Sequence, residues 1–364
     1  MKHGIIGLAL LIASATAGAG ALIHVANNGL DAPGCGTAAS PCRSITAGIA
    51  AAAEGDTVVV RPGLYGDLDM DGALGSQGEE TGDVAGVVAV NKRVTIISSG
   101  GPAVTSIRGI NGRDVVKINA NGAQFGAKDA GFTLYGGNIW GIETAALARG
   151  KVAGNVVRGV GSAMAIVSSD LWDVSDNYIT EIAGQGIVIL SANDGTGATN
   201  VHDNIVIGGE FNVGIQLSPR AAHRVSNNVV NGPYYGIIVS PGQARISGNT
   251  LTNNRIGIAY SNYVGTQPAG GTPVITRNSI IGNRGSGIFL LPAANFPLTL
   301  RENNIFGNGV CGIAANGNVA VDARNNYWGA ATGPSFTDPA DSVCDPTNTS
   351  VQTTPFSTRE FQIK

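Results

Sequence analysis

Charge is scarce in this chain. Of its 364 residues only 13% are Asp, Glu, Lys or Arg, against about 25% in an average soluble domain. The formal net charge is −3. So balanced a composition cannot follow a nucleic-acid backbone, which would require a basic face, and this excludes a partner held through phosphates. Beyond the first 25 residues no apolar run reaches the ~20 residues that a helix needs to span a bilayer. There is no G-x-S-x-G nucleophile elbow and no C-x2-C pair of the kind that grips zinc. What is abundant is glycine, 54 residues, and asparagine, 31. The glycines have no three-residue period, which excludes collagen. Plentiful Val, Ile and Leu at low net charge exclude disorder. The composition points to many short strands joined by tight turns.

The N-terminus reads as a secretory leader. Met1, Lys2 and His3 precede an apolar core over Ile5 to Ala13, and Ala17-Gly18-Ala19 and Ala19-Gly20-Ala21 are small-residue cleavage sites. The mature protein is therefore expected outside the cytoplasm: secreted, periplasmic or at the cell surface. All four cysteines lie beyond the leader. Cys35 and Cys42 are close in sequence, and Cys311 and Cys344 are both near the C-terminus. Four cysteines allow three pairings. The simplest, Cys35–Cys42 with Cys311–Cys344, staples each end of the chain, and a zinc site is the alternative.

From residue 152 a pattern recurs: an aliphatic residue, two others, Asn, one other, and a second aliphatic residue. It reads VAGNVV, VSDNYI, VHDNIV, VSNNVV, ISGNTL, ITRNSI and LRENNI, and ARNNYW closes the series. The asparagines are Asn155, Asn177, Asn204, Asn228, Asn249, Asn278, Asn303 and Asn326, spaced by 22, 27, 24, 21, 29, 25 and 23. A second strand signal follows each of the first seven, led by Ile166, Ile187, Ile215, Ile237, Ile258, Ile288 and Ile313. A repeat of this length is one structural unit stacked on itself. Its segments have period 2 and are too short for amphipathic helices. The fold they specify is all-β: a single-stranded right-handed parallel β-helix of about eleven coils. Aliphatic residues form inward ladders. Asparagine sits where one short strand bends into the next, tolerates a left-handed backbone there, and bonds between coils through its amide.

The opening segment looks like a lid. Ser40-Pro41 suits an N-cap and a first helical position. Ile45, Ile49 and Ala52 share one face, and Gly55 ends the helix. This helix would plug the open apolar end of the solenoid, and DTVVVRP at 56–62 would be the first strand of the barrel. The layout expected is a leader over 1–21, an opening strand and capping helix over 22–57, a parallel β-helix over 58–335, and a capping tail over 336–364.

At this point the chain resembles the secreted right-handed parallel β-helix proteins of the pectate-lyase-like superfamily. Three stretches carry the resemblance: HVANNGLDAPGCG…SPCRSITAGIAAAAEGDTVVVRPGLYGD at 24–67, the N-x-[IV]…G-I-x-[VIL] repeat, and RNNYWGAATGPS at 324–335 followed by TTPF at 353–356. It implies a fold that hosts lyases, hydrolases, epimerases, periplasmic maturation proteins and non-catalytic binders. The paired-Asp strand signature of polygalacturonases and the Asp-Pro-His of alginate epimerases are absent. Copper binding of the maturation type would favour Met, Cys and His donors, and with three Met and two outward His that signal is weak.

Two groups of residues could carry chemistry. Asp67, Asp69, Asp71 and Gly72 begin like a calcium loop, with Glu79 one position late for the closing ligand. Calcium is one reading and a solvated acidic loop the other. The second group lies on the outward column two residues before the strand position of His202. Successive coils would stack Lys151, Asp173, Asn200, Arg224 and Arg245 there, with Arg220 and His223 in the loop leading in. Asp173, His202, Arg220, Arg224 and Arg245 would form a groove for an anionic sugar, the arginines neutralising uronate carboxylates. The other outward column, one past each Gly-Ile, reads Glu143, Val167, Val188, Gln216, Ile238, Ala259, Phe289 and Ala314. It is mostly apolar, as expected of a covered surface. Insertions at 191–200 and 262–271 both follow the Gly-Ile strand of their coil and should leave from one side. The function expected is a monomeric, non-catalytic scaffold that binds acidic polysaccharide. The alternative is a lyase on a uronate-containing glycan, with His202 as its base.

Overall fold

The computed structural model describes residues 20–191, 198–209, 212–217, 222–240, 242–261, 271–291, 297–315, 320–336, 341–344 and 351–363. It is a parallel β-solenoid. One coil runs through Asn200–His202, Ile205–Ile207 and Val213–Leu217, and the next through Arg224–Ser226, Val229–Asn231 and Tyr235–Val239. The first and third strands of each coil belong to a 23-stranded sheet and the middle strands to a ten-stranded one. The two outer faces join into one sheet because the long strand Ser162–Ser175 runs across both.

The inward positions of each face stack into ladders. On the first face Val152, Val174, Val201, Val225, Ile246, Ile275 and Leu300 are stacked in register. On the third face Ile142, Met164, Ile187, Ile215, Ile237, Ile258, Ile288 and Ile313 are stacked likewise. All of these side chains are fully buried. At ~25 cal/mol per Å2 of apolar area, such columns supply most of the driving force, and each coil covers the next. Met164, not Ile166, continues the isoleucine column, because Ile166 pairs one step on with Ile189. The outward column accordingly holds Ala165 in place of Val167.

The eight asparagines stack in one buried row. Each side-chain amide donates to the Oδ1 of the next, from Asn155 to Asn177 at 3.2 Å through to Asn303 and Asn326 at 3.0 Å. Each backbone N–H, from Asn155 to Asn303, donates to the same oxygen. The left-handed backbone is displaced by one residue from its expected place. It falls on the preceding residues, including Asp176, Asp203, Asn227, Arg277, Glu302 and Asn325, with φ between 54° and 60°. The asparagine itself is thereby left free to turn its amide inward. A second row, Asn254, Asn283 and Asn308 ending on Asp341, runs parallel at the next corner, with links of 2.9, 2.8 and 2.7 Å.

The coils number fewer than eleven. Eight carry the asparagine pattern, and the sheet that takes one strand per coil has ten strands. The loop between Gly63–Gly66 and Gly86–Val90 consumes chain without winding a coil. The opening strand Leu22–Val25 already belongs to the solenoid, pairing in parallel with Thr57–Val60. At the other end Val343–Cys344 and Val351–Gln352 extend the large sheet, so the tail adds strands as well as a cap.

The lid helix is Ile45–Ala51, capped by Ser44, whose Oγ accepts from Ala47 N. It starts four residues later than Ser40-Pro41 suggested. The reason is Glu80, a buried carboxylate that accepts from Ile45 N at 2.7 Å and Thr46 N at 2.8 Å and so satisfies two first-turn donors. Ile45 and Ile49 face the core as expected. Gly48 permits the close seat, since a Cβ there would lie 2.4 Å from Val25 Cγ2. The bridges are Cys35–Cys42 and Cys311–Cys344, one at each end.

Candidate functional site

The outward column of the first face is assembled in register. Gln124, Lys151, Asp173, Asn200, Arg224 and Arg245 occupy consecutive rungs. Beside them Ser175, His202, Ser226 and Ser247 form the neighbouring column. Strand alternation places both rows outward while Val174, Val201, Val225 and Ile246 between them point in. Adjacent rungs lie ~4.8 Å apart, so Arg224 and Arg245 are immediate neighbours.

The structure brings Asp173 and His202 together, with Nε2 3.4 Å from Asp173 Oδ1, and Lys151 Nζ lies 3.8 Å from Asp173 Oδ2. His202 Nδ1 meets Asp203 Oδ2 at 2.6 Å. Both ring nitrogens therefore face carboxylates. His223, by contrast, is buried, and its Nδ1 accepts from Thr199 N. It does not line the groove. Arg220 lies outside the described residues. The insertions at 191–200 and 262–271 both leave from a third-face strand and return to a first-face strand, Asn200–His202 and Val274–Thr276. They share one corner, although their interiors, 192–197 and 262–270, lie outside the described residues.

Charges at the two ends of the column are paired. Asp322 is held well below the usual carboxylate range by hydrogen bonds from Arg324 and then Arg301. Between the ends, no carboxylate among the described residues lies within ion-pair distance of Arg224 or Arg245, and both side chains are exposed. Beside Lys151, Asp173 and Asn200 opens a cleft of about 350 Å3, lined also by Arg149, Leu171 and Trp172. Trp172 is buried and donates from Nε1 to Leu147 O at 3.2 Å. Gly150 lies flat on its indole, where a Cβ would come within 2.4 Å of the ring.

Asp67, Asp69 and Asp71 converge, with one oxygen of each within 4.8 Å of the others. Glu79 does not join them. Its Oε1 accepts from Leu68 N and its Oε2 from Ser76 N, which ties the two ends of the loop together.

A third group escaped sequence reasoning. On the outward column of the third face Lys117 and Glu143 are ion-paired neighbours, and Asp114 Oδ2 is 3.7 Å from Lys117 Nζ. Burial pushes the Asp114 carboxyl up to about 7, and the adjacent Glu143 adds to the rise. On Glu143 burial is outweighed by hydrogen bonds from Asp114 and Lys117, which bring it down. Glu143 was legible as the start of the outward column one past each Gly-Ile, but Asp114 and Lys117 lie in an earlier coil that lacks the repeat.

The sequence profile of the family described as periplasmic copper-binding protein (NosD) matches residues 89–333. The chain belongs to this family. Its place outside the cytoplasm follows, and no helix among the described residues is long and apolar enough to cross a membrane. No curated protein matches the chain. Among solved structures, XylC in complex with xylose aligns at a TM-score of 0.46 and 12% identity, over 78% of this chain and 70% of that one. The GH136 lacto-N-biosidase from Eubacterium ramulus aligns at 0.38 and 11%, over 92% and 68%. The catalytic unit of the GH87 α-1,3-glucanase from Streptomyces thermodiastaticus aligns at 0.34 and 12%, over 84% and 64%.

The family description names copper, and the donors among the described residues do not fit it. Copper favours thiolate, thioether and imidazole. All four cysteines are in disulfides. Met164 is buried in the core, while Met70 is 67% exposed in the acidic loop. His24, His202 and His223 sit on separate strands or loops. Among the described residues the two clusters with metal-ligating geometry are Asp31 beside the Cys35–Cys42 bridge, whose sulfurs are oxidised, and the all-oxygen Asp67, Asp69 and Asp71. The second is a hard-donor set.

Proposed function

We propose that this NosD-family protein binds acidic polysaccharide on its first face, as a non-catalytic scaffold, with Asp173, His202, Arg220, Arg224 and Arg245 as contact residues. The observation that carries this reading is the pair Arg224–Arg245. Like charges directly opposite on neighbouring strands are destabilising, and here no carboxylate among the described residues offsets them. A polyanionic chain lying across the coils would supply one carboxylate per arginine. The cleft beside Lys151 and Asp173 continues the same surface. Binding without cleavage is favoured because His202 Nδ1 is bonded to Asp203 and Nε2 is turned toward Asp173, 3.4 Å from its Oδ1. A base for uronate elimination needs one of them turned to the substrate.

The test is the double variant Arg224→Ala with Arg245→Ala, titrated with polygalacturonate and alginate against neutral dextran. Each exposed contact is worth ~0.5–1 kcal/mol, so affinity for the acidic polymers should fall roughly five- to thirtyfold. Dextran should bind neither protein. The wild type should release no unsaturated product from either polymer. Unchanged affinity in the folded double variant would remove the site, and unsaturated product would replace the scaffold with a lyase.

A further inference from the structure

On the opposite side of the molecule, at the corner between the middle and third strands, lies a cavity of about 430 Å3. It is lined by Tyr234, Tyr235, Arg255, Arg284, Ser286 and Phe289, among others. That size suits one small ligand. Its walls divide into two chemistries. Tyr234 and Tyr235 meet edge to face at 4.6 Å. Phe289, half-buried, stands on the outward column of its strand between the small residues Ala259 and Ala314 on the flanking rungs. Opposed to these rings are guanidinium groups. Arg255 is held 5.3 Å over the Tyr234 ring, and Arg284 donates from Nη2 to Gly232 O at 2.9 Å. No carboxylate among the described residues lies within ion-pair distance of Arg255.

The second asparagine row explains why this corner is rigid. Asn254 immediately precedes Arg255 and Asn283 immediately precedes Arg284. The two asparagines are bonded to each other, and Asn283 in turn to Asn308. Arg284 N donates to Asn254 O at 2.7 Å, and Gly285 N to Arg255 O at 2.8 Å. The backbone from which both arginines project is therefore fixed one coil apart. Burial, followed by the proximity of Tyr234, pushes the Tyr235 hydroxyl up, consistent with a partly desolvated wall. Aromatic faces beside fixed guanidinium groups match a ring with an apolar C–H face and a carboxylate at its edge.

We propose that this cavity is a binding site for a single uronate sugar, with its pyranose face against Phe289 and Tyr235 and its carboxylate on Arg255. The proposal does not rest on the first-face reading, because the two sites share no residue.

The experiment is a calorimetric titration of the full mature protein with D-glucuronate, using D-glucose as the neutral control. Glucuronate should bind at least tenfold more tightly than glucose. Arg255→Ala should weaken glucuronate at least tenfold, and Phe289→Ala should weaken it to a similar degree. The Arg255→Ala and Phe289→Ala variants should still bind polygalacturonate as the wild type does, which separates failure here from failure of the first-face site. Arg255 is exposed, so its removal leaves the core intact, and unchanged circular dichroism confirms that. Absence of glucuronate binding, equal binding of glucose, or an Arg255→Ala variant with wild-type affinity would each overturn the proposal.

Discussion

At the scale of single residues, the asparagine rows show how a buried polar group can be an asset. Asn228 uses its amide fully. Nδ2 donates to Val201 O, Ser226 O and Asn249 Oδ1, while Oδ1 accepts from both Asn204 N and Asn204 Nδ2. Asn228→Asp alters little but the nature of one atom. It replaces a donor aimed at Asn249 with an acceptor and buries a charge, so we expect a loss of at least ~2 kcal/mol in denaturant unfolding at neutral pH. Asp114 gives a pH-dependent counterpart. Its folded pKa, about 7, lies well above the ordinary Asp value of 3.8. Its stabilising contribution is therefore complete below about pH 4 and is lost as pH rises through 7. Glu143 shifts the other way, so its contribution is lost only on acidification below its ordinary range. Between about pH 5 and pH 8 the melting temperature should fall less in Asp114→Asn than in the wild type. Parallel profiles would show that Asp114 is not linked to folding.

At the scale of elements, what could be read from the chain was whatever repeats. The eight asparagines and the outward Asp173, Arg224 and Arg245 were legible because spacing along the chain equals stacking between coils, so one register predicts every other. Where the repeat decays, legibility ends. Ala163-Met164 replaces Gly-Ile in its coil, and the isoleucine column was misplaced there by two residues. The second row follows the first by five residues at Asn254, Asn283 and Asn308, a signal that was present and overlooked. The Glu80 cap had no local signal, since its partners lie 34 and 35 residues away. Its weight can be measured. Glu80→Ala strands the N–H groups of Ile45 and Thr46 and releases the loop from the lid. It should cost ~2–3 kcal/mol and expose residues 67–85 to limited proteolysis. An unchanged melting temperature would mean that water caps the helix equally well.

At the scale of the whole molecule, stability is distributed along an axis, and the two bridges act on its ends unequally. Cys311–Cys344 closes 33 residues and Cys35–Cys42 closes seven. Loop-closure entropy makes the first worth ~4 kcal/mol and the second ~2 kcal/mol. Replacing Cys311 and Cys344 with serine should therefore lower the melting temperature more than replacing Cys35 and Cys42. The reverse order would place the weaker cap at the N-terminus. The row of asparagines has a mechanical meaning as well. Its links join only adjacent coils, and the strands they brace run across the axis, so no bond spans the length of the rod. Tension applied at the two ends meets one coil at a time. Each coil that yields releases about 24 residues, or ~80 Å of slack, and leaves the next rung intact to bear the load. Under force the protein behaves as a ratchet of small, nearly equal steps, whereas a single-core domain gives way at once.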